Sequence, residues 1–210
     1  MTLTAPTCEP ATRVTQSLLG YGIIAGPFYV VVSLVQALVR PGFDLTRHEW
    51  SLLATGPSGW IQTANLVVSG LMVVAGAIGI RRTGLKWGPI LLAGYGIGLV
   101  GAGFFSADPA DGFPVGTPAG RAASVSWHGM LHLVAGGIGF LCLILACFVL
   151  ARTVLPWFSR ITGVVFFASF AGIASGAGNV AFNLAFTAAV VLASAWLSVV
   201  SLRLYKGEVR

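Results

Sequence analysis

Between residues 157 and 204 the chain runs for 48 residues with only Arg160 and Arg203 charged. As one α-helix at 1.5 Å per residue this run would measure about 72 Å, more than twice the roughly 30 Å hydrocarbon thickness of a bilayer. It has to fold back on itself, and residues 175–183 (SGAGNVAFN) hold the small and turn-forming residues that allow it. Four more apolar runs precede it, each long enough to cross a membrane. The spacing predicts helices over about 18–39, 60–80, 87–105, 127–150, 159–177 and 183–204, all in a single domain, 1–210. The expected fold class is an all-α membrane protein, a bundle of six transmembrane helices.

Composition agrees, because 56% of the residues are hydrophobic, 9% are charged, and the mean hydropathy is +0.89. No soluble globular domain has that balance. Pro27 lies inside the first run, where a bundle can accommodate a kink, and Pro89 falls in the first turn of the third, where a missing N–H costs least. The net charge of +6 would suggest nucleic acid in a soluble protein, but the basic residues here flank apolar runs and read as topology signals. No nucleic-acid partner, Gly-rich phosphate loop or covalent nucleophile is expected. Nine of the twelve Lys and Arg fall in the N-terminal tail, the second and fourth connections and the C-terminal tail; Arg40, Arg47 and Arg121 fall in the alternate ones. Both termini are therefore expected in the cytoplasm, with the longer loops after helices one and three outside. The first run lacks a small-residue cleavage site and reads as a retained helix. Cys8, Cys142 and Cys147 read as small hydrophobes rather than a redox or metal motif.

On this topology His48, His128, His132, Asp44, Glu49, Asp108 and Asp111 all gather on the outer side, which the orientation rule for basic residues does not require. In SWHGMLH, residues 126–132, His128 and His132 stand four apart on one helix face, a spacing by which two imidazoles can bind one metal ion or share a polar cavity. The structural reading puts both at headgroup level beside Trp127. The loop ADPADGFPVGTP, residues 107–118, carries turn formers, and its three prolines suit an ordered lid. Asp108 or Asp111 facing the His pair would serve as metal ligand, tautomer-fixing partner or general acid or base.

The first outer loop contributes His48, and His128, His132 and His48 with a carboxylate would suffice for Zn²⁺ with an open position for water. Leu52, Leu53 and Trp50 in the same loop read as an amphipathic segment lying at the interface. Gln62 and Asn65 share an inward face of helix two, as interhelical hydrogen bonders or, with Trp60 and Trp127, as the lining of a cavity. Asn179 and Asn183 read as cap and turn residues.

The segments SLLATGPSGWIQTAN, FSADPADGFPVGTP and SWHGMLH together resemble the bacterial integral membrane proteins catalogued as domain of unknown function 998. The resemblance implies the six-helix architecture and residence in a bacterial cytoplasmic (inner) membrane. It carries no catalytic residue across, because the activity of that family is not established. Two classes of function remain open. One is a membrane-embedded enzyme acting on a lipid or polyprenyl substrate through Asp108, Asp111, His128 and His132, by Zn²⁺ or by acid–base chemistry. The other is a sensor, binding protein or scaffold among membrane lipids in which the same groups are structural. A transporter is disfavoured, since no ionisable group lies near mid-membrane.

Overall fold

The computed structural model describes residues 10–120, 124–176 and 179–208. Cys8, Arg121 and Arg210 lie outside the described residues, as does the centre of the last hairpin. Six helices, each long and apolar enough to span a membrane, make up the fold: α1 (Pro10–Val39), α2 (Gly59–Arg82), α3 (Trp87–Phe104), α4 (Trp127–Leu150), α5 (Pro156–Ala174) and α6 (Val180–Tyr205). A five-residue 3-10 helix, Trp50–Ala54, interrupts the loop between α1 and α2. Helix α1 begins well before residue 18, because nothing in residues 10–17 breaks it after Pro10. Its first turns are held by Arg82 of α2, which donates to Thr15 Oγ1 at 2.9 Å and Ala11 O at 3.4 Å. Pro156 starts α5 at the position where a fixed φ and a missing N–H suit a helix.

Each helix packs antiparallel to the one before it, and α6 returns against α1 to close a ring. The start of α1 and the end of α6 therefore share one end of the bundle. The loops after α1 and α3 meet over the other, called here the capped end.

Two kinds of seam hold the ring together. From α1 to α4 the helices approach through paired glycines. A Cβ on Gly76 would stand 2.7 Å from Gly22 Cα, one on Gly70 would stand 2.6 Å from Gly96 O, and one on Gly98 would stand 2.6 Å from Gly139 Cα. Such spacing lets backbones touch, which is how helices gain van der Waals contact in a solvent as apolar as their own side chains. These paired glycines thus serve close packing within one chain. From α4 to α6 the packing is by side chains instead: Phe140 meets Phe166, Phe170 and Phe186 with ring centroids 5.2, 5.3 and 5.5 Å away.

The α1–α2 seam also buries a polar network. Gln62 accepts from Gln36 Nε2 at 2.8 Å and donates to Ser33 Oγ at 3.0 Å, while Asn65 Nδ2 donates to Tyr29 O and Ser33 Oγ, each at 3.1 Å. Each amide is fully or almost fully buried and finds at least one partner on the neighbouring helix, with Gln36 Oε1 left unpaired among the described residues. That is the condition under which such groups are tolerated away from water.

Substitution of Gly98 by Val should push α3 and α4 apart and cost about 1–3 kcal/mol, the usual range for overpacking. Gly136→Ala on α4, where an added Cβ meets nothing within 4 Å, should not destabilise and should gain up to about 1 kcal/mol from helix propensity. Unfolding midpoints in mild detergent measure the contrast.

Candidate functional site

Polar chemistry at the capped end starts from the way α3 stops. A helix end leaves its last carbonyls without intrahelical partners, and at the edge of an apolar bundle they need protein donors. His132 supplies one: its Nδ1 lies 2.9 Å from Ala102 O and 2.8 Å from Phe105 O. His128 supplies another, with Nδ1 at 3.1 Å from Ser106 O and 3.0 Å from Ser126 Oγ. Carbonyl oxygens only accept, so both rings carry the proton on Nδ1 in their neutral form. His132 is thus a C-terminal cap for α3, and His128 holds the first loop residue beyond it.

The start of α4 is built with the opposite sign. Ser126 is the N-cap, its Oγ accepting from Gly129 N at 3.1 Å and donating to Asp108 Oδ1 at 2.6 Å. Asp108 Oδ2 accepts from Ser126 N at 2.8 Å. The carboxylate lies so close to the helix that a Cβ on Gly129 would stand 2.1 Å from Oδ2. The Ser126 hydroxyl above all, with the Ser126 N–H, holds the Asp108 carboxyl below the usual carboxylate range. Negative charge at the N-terminus of α4 and histidine at the C-terminus of α3 each match the partial charge of the helix end they face. Asp108 Oδ1 is 3.9 Å from His128 Nδ1.

The two loops are sewn into one cap. Asp111 and Gly112 both have positive φ, 53° and 86°, the conformation an Asp-Gly turn favours, and this turn presents Asp111 O to His48 Nε2 at 2.9 Å. His48 Nδ1 meanwhile accepts from Asp44 N at 2.9 Å. The fully buried His48 ring packs against Phe43 and Phe113, and Arg40 stands over Phe113 at 4.8 Å. Arg40 also donates to Leu53 O and, at 2.7 Å, to Thr55 O. Those bonds draw Trp50, Leu52, Leu53 and Ala54 inside, so this segment is a buried part of the cap and does not lie along the interface as expected.

Beneath the cap is a cavity of about 580 Å³. Leu66, Leu99, Phe140, Phe170, Phe186 and Val190 give it an apolar wall, with Tyr29, Tyr95 and Thr187 among the few polar side chains along the helices. At the capped end Glu49, Asp108, Asp111 and His132 border it. His132 is 7% exposed and, with Nδ1 occupied, its Nε2 meets no hydrogen-bond partner among the described residues.

Several expected roles change against this geometry. His48 cannot join His128 and His132 around a metal, because one of its nitrogens carries the proton given to Asp111 O and the other has its lone pair engaged by Asp44 N–H. Among the described residues no three His, Cys, Asp or Glu side chains form a group that could hold a metal ion. His132 borders the cavity and His128 does not. Gln62 and Asn65 are turned into the α1–α2 seam rather than the cavity, and Trp60 and Trp127, about 70% exposed, stand on the outside of the bundle. Tyr29, Tyr95 and Thr187 take the lining positions instead. The only signal for them in the sequence is a polar atom within an apolar run, which by itself does not say which way a helix face points.

The Asp108 bonds make a pH prediction. A carboxyl whose folded value is depressed contributes stability that is fully present above its ordinary value, 3.8, and is lost as pH falls through the folded one. The stability gap between the wild-type protein and Asp108→Asn should therefore be constant above about pH 4 and narrow below it, as read from unfolding midpoints across a pH series. Asp44, held low chiefly by the Thr46 hydroxyl, titrates in the same window in both proteins and drops out of the difference.

No curated protein and no solved structure matches the chain. One protein family does, over residues 23–203, which takes in the second half of α1, all of α2 to α5, nearly all of α6 and both loops of the cap. The chain belongs to the family described as protein of unknown function (DUF998).

Proposed function

We propose that this membrane protein binds an amphipathic lipid or polyprenyl molecule, with its apolar chain among the helices and its polar end under the cap. One observation carries the reading: the cavity is polarised, with leucine and phenylalanine along its length and Glu49, Asp108, Asp111 and His132 collected at one end. Its volume falls within the range of about 300–1,000 Å³ usual for small-molecule sites, which are mostly apolar with a few polar groups that fix orientation. Membrane lipids are the partners this implies.

A second reading adds chemistry to binding, and the state of His132 favours it. Its Nδ1–H is committed to two carbonyls, which leaves the Nε2 lone pair available beside the cavity as a general base, with the Asp111 carboxylate bordering the same end. Acid–base chemistry on the polar end of the bound molecule needs no third histidine. The site belongs to the non-cytoplasmic side of a bacterial cytoplasmic membrane in this reading, supported by the concentration of Lys and Arg at the end that holds the termini.

Native mass spectrometry of protein released from detergent micelles should show a stoichiometric adduct in the lipid mass range. Thr187→Trp, which fills the cavity, should remove it, and Leu141→Trp on the exposed face of α4 should not. Wild-type protein without an adduct would overturn the binding reading. His132→Asn keeps a donor near the Nδ1 position and removes the base, so it should retain the adduct while slowing any turnover by about 10²-fold or more. Accumulation of an unprocessed lipid in cells carrying that variant reads the second effect.

A further inference from the structure

The cavity has a side as well as an end. Helices α4 and α5 touch firmly in the half nearer the chain termini, where a Cβ on Gly163 would meet Cys147 Cβ at 3.1 Å and Phe148 at 3.2 Å. They touch again at the Phe140–Phe166–Phe170 cluster. Beyond that cluster, toward the cap, they part. A Cβ on Gly136 would meet nothing within 4 Å, and one on Gly137 would reach only Phe170 Cζ, at 4.0 Å. Leu133, Gly136 and Gly137 of α4 and Ile173 and Ala174 of α5 all border the cavity, yet Leu133 is 59% exposed. Side chains that border the interior and are open to the exterior define a gap between the two helices. On its far side α5 stays attached, since a Cβ on Gly172 would stand 2.4 Å from the Phe182 ring of α6.

We infer that this gap is a lateral portal through which the hydrocarbon chain of a bilayer lipid passes into the cavity. The inference rests on the binding reading above and adds the route and the source of the ligand. Both helices belong to the set long and apolar enough to cross a membrane, so in this proposal the gap faces the bilayer. Its walls, Leu133, Gly136, Gly137, Phe170, Ile173 and Ala174, carry no polar side chain, which suits a passing alkyl or isoprenoid chain and repels a headgroup. Just above, toward the cap, the wall changes to Gly129, His132 and Asp108, so a molecule entering chain first keeps its polar end at the level of the cap. The two adjacent glycines serve differently from those of the α1–α4 seams: here the missing side chains leave an opening instead of a contact.

The test uses the full-length protein in phosphatidylcholine vesicles, to which palmitic acid bearing a diazirine near its chain terminus is added. Brief irradiation at successive times, followed by peptide mass spectrometry, reads the rate at which label reaches the interior (Tyr95, Leu99, Phe186, Val190). Labelling of the lipid-exposed Leu141 and Leu145 calibrates each sample. Wild-type protein should acquire interior label. Gly136→Leu, at a position with room for the added side chain, should lose most of the early interior label while keeping that on Leu141 and Leu145. Ala174→Trp on the opposite wall should do the same, and a shared loss in two variants on different helices separates occlusion from misfolding. Gly20→Leu, also at an unobstructed site but on α1, should match wild type. Interior labelling at the wild-type rate in both portal variants would overturn the portal and leave the binding reading standing. No interior label in wild-type protein, together with no retained lipid in native mass spectrometry, would overturn the binding reading itself.

Discussion

Helix ends are the weak points of a fold that works without water, because their last carbonyls and first N–H groups must find protein partners or forfeit several kcal/mol each. The junction of α3 with α4 meets this requirement with unusual economy. His132 closes the end of α3, His128 holds the loop residue just beyond it, Ser126 and Asp108 close the start of α4, and Ser126 Oγ joins the two sets through its contacts with Asp108 and His128. The loop between Phe105 and Ser126 is thereby tied down at both ends. Its Asp-Gly turn reaches His48 and brings the first loop into the same cap. The cap, the polar end of the cavity and the orientation of His132 all follow from that junction.

The rest of the cavity follows from where glycine is spent. Paired glycines on α1 to α4 bring backbones together and leave no room between those helices. Phenylalanines on α4, α5 and α6 hold that side of the ring at side-chain distance, with rings 5.2 to 6.4 Å apart, and they pack as a floor rather than filling the space above. The result is an asymmetric ring, tight over one half and propped open over the other. The opening lies where the propping side chains end and Gly136 and Gly137 begin.

The helices were legible in the sequence because their signal is one of length and hydropathy, quantities carried by consecutive residues. The family resemblance was legible because its motifs lie in loops whose turn chemistry is local. Partnerships across the chain were not. Nothing near His48 says that its second nitrogen will be taken by a carbonyl 63 residues later, so a buried, saturated ring looks in sequence like a free ligand. The same holds for Leu52 and Leu53, which read as an interfacial stripe until Arg40 is seen drawing their backbone inward. Gln62 and Asn65 could be assigned to an inward face, but whether that face met another helix or a cavity depended on Ser33 and Gln36 of α1. The spacing of His128 and His132 was read as a pair acting on one ligand. Its structural logic is the end of α3 and the start of the loop, where His132 meets Ala102 O and Phe105 O and His128 meets Ser106 O.

This last point bears on what His132 can do. A ring that caps a helix through Nδ1 and also borders a cavity faces two demands, and they need not conflict. The bonds to Ala102 O and Phe105 O use the Nδ1 proton, which is present in both the neutral Nδ1–H tautomer and the imidazolium. Gain or loss of a proton at Nε2 therefore leaves the cap of α3 intact. A histidine held the other way round, with Nδ1 accepting, would have to break its structural bond to take up a second proton there, as His48 would in losing its bond from Asp44 N–H. Of the three histidines, His48 is thus locked by its partners, His128 does not border the cavity, and His132 alone combines a ring fixed at Nδ1 with a place on the cavity wall.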